Sequence, residues 1–201
     1  MADKEYRKVW KDGDAVLLTV ELHWPQVEAR CPGGRRVNRY YDALADRWRQ
    51  RWEGPLLARA REAAGPETPP WEAKLDFHVT REDDAFLSLY LDAYEYTGGA
   101  HGNTVRTGDT WHMPAGTPCT LRELLPQARW WRRTALDEIR RQIGARVAAG
   151  ESLFFEDWVK LASVHFCPDR FYLEGENAVV FYPLYTIAPY VEGIPTFPLK
   201  I

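Results

Sequence analysis

Residues 86–96 read FLSLYLDAYEY, and they run straight into Thr97-Gly98-Gly99-Ala100-His101-Gly102. Leu87, Leu89, Leu91 and Ala93 fall on one side at period two, while Phe86, Tyr90, Tyr94 and Tyr96 supply an aromatic second side. Successive side chains of a strand point to opposite faces, so a run apolar on both sides predicts a strand in the interior of a sheet. Three glycines within residues 98–102 predict a turn that needs positive φ or a close approach between chain segments. Residues 103–113 then form the partner strand.

The same alternation extends outward in both directions. Leu75, Phe77 and Val79 alternate with Asp76, His78 and Thr80 ahead of a tight acidic turn over residues 81–84. Val16, Leu18, Val20, Leu22 and Trp24 form one face of an earlier strand, closed by Pro25 and paired across residues 11–14 with Tyr6–Trp10. Between these strands the period changes. After a Pro32-Gly33-Gly34 loop, Val37, Tyr40, Tyr41, Leu44, Trp48 and Trp52 recur at helical steps. Gly54-Pro55 predicts a kink or break, followed by a second helical stretch over residues 56–64. Downstream, Thr120-Leu121-Arg122-Glu123 has the form of a capping box opening a short helix. Pro126 restarts the chain into a long helix with the stripe Trp131, Ala135, Ile139, Ile143 and Val147, closed by Gly150. A short helix over residues 154–163 and strands over 170–173 and 178–182 follow. A last strand, residues 194–201, carries Pro195 and Pro198 and belongs at an edge. Hairpins separated by two long helices predict an α+β fold, an antiparallel β-sheet with two long helices packed on it. Residues 15–201 are expected to form a single domain, with residues 1–14 an N-terminal segment or edge strand.

The 201 residues are 45% hydrophobic and 27% charged, the balance of a folded globular protein. Nine Trp, ten Tyr and eight Phe serve either a core, where each ring buries roughly 150–250 Å², or a binding surface. The net charge of −3 argues against a nucleic-acid partner. Basic clusters over residues 35–61 and 129–146 read as solvated helix faces. Cys31, Cys119 and Cys167 are odd in number and contain no C-x-x-C pair, which excludes a disulfide framework. Residues 1–14 are charged and lack the apolar run of a signal peptide, and no stretch reaches the ~20 apolar residues of a membrane helix. The expectation is a soluble protein without membrane insertion, cytoplasmic as written, and extracytoplasmic if it is a fragment of a longer protein.

Chemistry-bearing motifs are few. Gly98, Gly99, His101 and Gly102 suit either a demanding turn or a nest of backbone N–H groups for an anion, with His101 as its acid, base or anchor. Residues 188–195 read APYVEGIP, a rigid turn in which Tyr190 either pins the backbone or meets a ligand. Gly-x-Ser-x-Gly, phosphate-loop and dinucleotide motifs are missing, and the five histidines lack metal-ligand spacing, so no cofactor and no metal are expected. Glu21, Asp76, Glu95 and Glu192 would need to converge in space to act as glycoside-cleaving carboxylates.

Taken in order, Trp24-Pro25-Gln26, Asn38 opening a helix, residues 96–102, residues 121–125, and Ala188-Pro189-Tyr190 followed by Gly193 and a final strand carry a resemblance. From Ala15 to Ile201 the chain resembles the C-terminal extracytoplasmic domain of RsiV-type anti-sigma factors. A similar domain stands as an accessory in PdaC-type peptidoglycan deacetylases. The resemblance implies an α+β fold and a non-catalytic binding or sensory domain of unknown function in the cell envelope, since RsiV-type domains bind lysozyme directly. The chain departs from that pattern in lacking a membrane helix or signal sequence, and in having no sigma-binding segment ahead of Ala15. The expected partner is a protein such as lysozyme or a cell-wall glycan, with Gly98, Gly99, His101, Gly102 and Tyr190 as binding residues, and the protein is not expected to be an enzyme. The alternative is a small hydrolase acting on envelope or carbohydrate substrates with His101 as acid or base.

Overall fold

The computed structural model describes residues 1–28, 32–125 and 129–201. Cys31, and Pro126 as the start of a helix, lie outside them. The fold is α+β, built as two compact units. One comprises Met1–His78, Leu91–Val105 and Met113–Gly116, and the other Val79–Tyr90, Arg106–His112 and Thr117–Ile201.

In the first unit β1 (Ala2–Asp12) and β2 (Ala15–Gln26) form an antiparallel hairpin with a register shift at Trp10/Lys11. Its turn uses Gly13 at φ +56°. The period-two face is real: Leu18, Val20 and Leu22 are buried. Helix α1 (Pro32–Arg51) packs on β2 and turns Val37, Tyr41 and Leu44 inward. Two polar clamps hold the end of β2 to this helix. The Asn38 amide donates to the Val27 carbonyl and accepts from the Val27 N–H, both at 2.9 Å. Asp42 Oδ1 accepts from Lys4 Nζ at 2.8 Å, Trp24 Nε1 at 2.9 Å and Gln26 Nε2 at 3.2 Å. Asn38 therefore sits in the second turn of α1 and does not open it.

Two local expectations in this unit are corrected. Pro32-Gly33-Gly34 is the first turn of α1, not a loop, because proline's fixed φ and missing N–H cost nothing at a helix start. Gly33 is required there, since a Cβ would lie 1.9 Å from the Pro114 carbonyl oxygen. Of the kink or break expected at Gly54-Pro55, the break does not occur. A π turn over Trp52–Leu56 absorbs Pro55, and α2 (Leu57–Ala63) continues directly. The wider turn accommodates the residue that cannot donate.

Strand β3 (Trp71–Glu82) pairs parallel with β2, from Leu18↔Trp71 to Leu22↔Leu75. The antiparallel pattern is thus broken at this pairing, where helices α1 and α2 form the crossover that a parallel pair needs. The sheet order is β1-β2-β3-β4-β5-β6, with β4 (Phe86–Tyr96), β5 (Asn103–His112) and the two-residue β6 (Thr117–Pro118). Strand β4 occupies the interior position expected of it.

The second unit holds a separate antiparallel sheet, β7-β8-β9 (Phe171–Glu174, Asn177–Phe181, Thr196–Lys200), so the strands divide between two sheets. β9 is an edge strand, as its prolines require. Thr120 and Glu123 form the capping box of α3 (Leu121–Leu124). Helix α4 (Trp131–Ala149) ends at Gly150 in the left-handed conformation, φ +68°. Its residues Ala135, Ile139 and Ile143 pack with Ala162 of α5 (Trp158–Val164), Leu173, Val180 and Phe197, while Val147 at the end of the stripe is exposed. Among the described residues Cys119 and Cys167 are free thiols, and no helix is long and apolar enough to cross a membrane.

Candidate functional site

The glycine-histidine turn joins β4 to β5. Gly98 has φ +85°, which favours glycine, and a Cβ there would sit 3.5 Å from Trp71 Nε1. Gly102 is buried, and its Cβ would fall 2.2 Å from the Tyr94 ring. Gly99 meets no such demand; its Cβ would pass no atom nearer than 3.8 Å. His101 is exposed, with Nδ1 3.0 Å from the Gly102 carbonyl oxygen. A carbonyl only accepts, so Nδ1 carries the proton in that bond. Two of the three glycines are thus explained by packing and backbone geometry, and the imidazole is bonded to its own turn.

Tyr190 lies in a short 3-10 turn, Tyr190–Glu192, with its ring 5.7 Å from that of Tyr185. Tyr185 is exposed and has φ +60°. The turn is stitched to the segment before α5, where Glu192 accepts from the Leu153 N–H at 2.6 Å. Of the other carboxylates singled out in the sequence, Glu21 and Glu95 are also bonded to the scaffold. Glu21 pairs with Arg7 at 2.7 Å, and Asp76 is exposed on β3. Glu95 accepts from Arg51 at 2.9 Å and Trp52 Nε1 at 2.8 Å, and these bonds hold its carboxyl below the usual range against the opposing effect of burial. Asp83 is a turn former that accepts from the Ala85 and Phe86 N–H groups at 2.8 Å.

A site of a different kind lies in the second unit, where α4 faces β8 and β9 across a cavity of about 550 Å³. Trp131, Ala135 and Leu199 give it apolar walls, and Glu138, Arg141, Gln142, Asn177 and Lys200 give it polar ones. Three of the polar groups are held in place. Arg141 forks onto Glu138 with bonds of 2.8 and 2.7 Å, and Gln142 Nε2 donates to Glu138 at 2.9 Å and to the Pro198 carbonyl at 2.7 Å. These donors depress the Glu138 carboxyl to about 2. On the neighbouring turn Arg146 donates to the Thr196 carbonyl at 2.9 Å and lies over the Phe197 ring at 4.9 Å. The basic face of α4 is therefore only partly solvated; Arg141 lines this groove and Arg146 is bonded to β9 beyond it. In sequence the signal was the helical spacing of Trp131, Ala135, Glu138 and Gln142, but its β-strand half is more than 30 residues away.

Residues 12–104 match the family model of deacetylase PdaC, and residues 133–201 match that of DUF3298, a protein of unknown function. The chain thus carries two partial matches, hereafter the PdaC region and the DUF3298 region after the models they match. The PdaC region holds the glycine-histidine turn, and the DUF3298 region supplies all the cavity residues except Leu125 and Trp131. Solved structures agree in fold. A DUF3298 family protein from Pseudomonas aeruginosa PAO1 superposes with a TM-score of 0.61 at 19% identity, covering 99% of this chain and 88% of the other. A member of the same family from Bacteroides fragilis NCTC 9343 gives 0.60 at 15% identity, over 99% and 90% of the two chains. No curated protein matches the chain significantly.

Proposed function

We propose that the chain is a non-catalytic binding domain whose ligand is a cell-wall glycan, held in the cavity of the DUF3298 region. The observation that carries this is the composition of that cavity. A saturated sugar ring has an apolar face and a rim of hydroxyls. Trp131 and Leu199 suit the face, and a fixed carboxylate, guanidinium and amide, with Lys200 beside them, suit the rim. The volume lies within the roughly 300–1,000 Å³ typical of small-ligand sites. In the PdaC region three side chains that could do acid–base work are committed to the scaffold: Asp42 to Lys4, Trp24 and Gln26, Glu95 to Arg51 and Trp52, and His101 to Gly102. That supports a binding role over hydrolysis by His101, and it fits the accessory and lysozyme-sensing domains of the PdaC and RsiV types.

Calorimetric titration with muropeptides and with lysozyme tests the proposal. Saturable muropeptide binding is expected, with Trp131→Ala and Lys200→Ala each weakening it at least about tenfold and His101→Ala leaving it unchanged. No muropeptide binding, or binding of lysozyme alone, would overturn the glycan assignment.

A further inference from the structure

Away from the cavity, the second unit brings together three different metal-ligand types. His112 ends β5, Cys119 follows β6, and Glu123 lies in the first turn of α3. A ring nitrogen, the thiol sulfur and a carboxylate oxygen of these residues all lie within 4.8 Å of one another. His112 Nε2 is 3.9 Å from Glu123 Oε2. Around a tetrahedral ion with bonds of about 2.0–2.3 Å, donor atoms stand roughly 3.3–3.8 Å apart. The three therefore need only a small contraction to close on one ion.

Each donor is held by bonds that a chance meeting would not supply. His112 and Cys119 are set by the β5–β6 pairing, His112↔Thr117 and Trp111↔Pro118, and the Cys119 N–H donates to the Thr110 carbonyl at 2.8 Å. The His112 ring rests against Phe86 at 5.2 Å. The Glu123 carboxylate accepts from Thr120 N–H at 2.7 Å and from its hydroxyl at 2.8 Å, both through Oε2. Such outer bonds orient ligands in protein metal sites. The capping box accounts for Thr120 and Glu123 alone and makes no demand for an imidazole or a thiol beside them. Burial further distinguishes the donors, with the sulfur enclosed, His112 half-buried and Glu123 at the surface, so the cluster opens to water on one side.

We infer that His112, Cys119 and Glu123 form a binding site for one divalent transition-metal ion of the zinc type, with water as the fourth ligand. A mixed nitrogen, sulfur and oxygen set suits a borderline cation and disfavours calcium or magnesium, which prefer all-oxygen surroundings.

The test is titration of the intact chain with Zn²⁺ and Co²⁺, read by calorimetry and by the visible spectrum of the cobalt form. One equivalent per chain is expected, with a thiolate-to-cobalt charge-transfer band. Cys119→Ser should abolish the band. His112→Gln and Glu123→Gln should each weaken binding at least about tenfold; the glutamine preserves the capping box, so a lost fold cannot mimic the result. Cys167→Ser and Cys31→Ser should change nothing. A cobalt band that survives Cys119→Ser, or affinity unaltered by His112→Gln and Glu123→Gln, or no binding of either ion, would overturn the site. None of these outcomes depends on the glycan proposal.

Discussion

Ser88 uses its whole hydroxyl. It donates to the Asp109 carbonyl at 3.2 Å, accepts from the Leu173 N–H at 2.7 Å and shares a 2.8 Å bond with Thr110 Oγ1 in which either hydroxyl can donate, all in a fully buried site. Ser88→Ala strands a buried N–H of β7 and should cost about 1–3 kcal/mol in denaturant unfolding. A loss below a few tenths of a kcal/mol would mean that Leu173 finds another acceptor. Gly102 poses the opposite problem, one of too little room. Gly102→Ala drives a methyl into the Tyr94 ring and should destabilise by about 1–3 kcal/mol. Because the obstacle is a side chain, most of that loss should vanish in a Tyr94→Ala background, and additive losses would place the strain in the backbone instead. At this scale the sequence was legible in kind: three glycines announced a geometric demand. Which of them bear it depends on Trp71 and Tyr94, neighbours that no local pattern identifies.

Elements show where local rules suffice and where they stop. The capping box at Thr120 and the left-handed Gly150 are set by a few adjacent residues, and both formed as the spacing required. The parallel pairing of β2 with β3 depends on partners about 50 residues apart, and alternation alone is blind to strand direction. The helical pattern between those strands was the usable clue, because a helical crossover returns the chain in the same sense. On α4 the pair Glu138–Arg141 makes a pH prediction. A carboxyl depressed to about 2 contributes stability that is present above its ordinary value and is lost as pH falls through about 2. NMR titration should find Glu138 ionised well below the other glutamates, and Arg141→Ala should raise its midpoint toward the ordinary value. Arg141 is mostly exposed, so added salt should shrink the difference. A midpoint untouched by Arg141→Ala would assign the depression to Gln142.

For the whole molecule, the α+β class and the order of elements were legible because period two and period 3.6 are written along the chain. The cavity was not, since its walls come from a helix and two strands separated in sequence. The two sheets were not, because alternation predicts a strand without naming the sheet it joins. The paired PdaC and DUF3298 matches divide the sequence much as packing does: residues 133–201 fall wholly in the second unit, and most of residues 12–104 fall in the first.

The π turn at Trp52–Leu56 also constrains how this chain can change length. A π turn houses one residue more than an α turn, so it behaves as an insertion already accepted by the helix. Removing Gly54 would take out that extra residue and leave later residues facing as they do now, but it would put Pro55 in an ordinary α turn, where its ring clashes and it has no N–H to donate. Leu57 and Ala60 would stay on the buried side, and the cost would fall on the proline, about 3 kcal/mol or more. Relatives shorter by one residue here should therefore lack the proline, and should need no compensating insertion before Trp71.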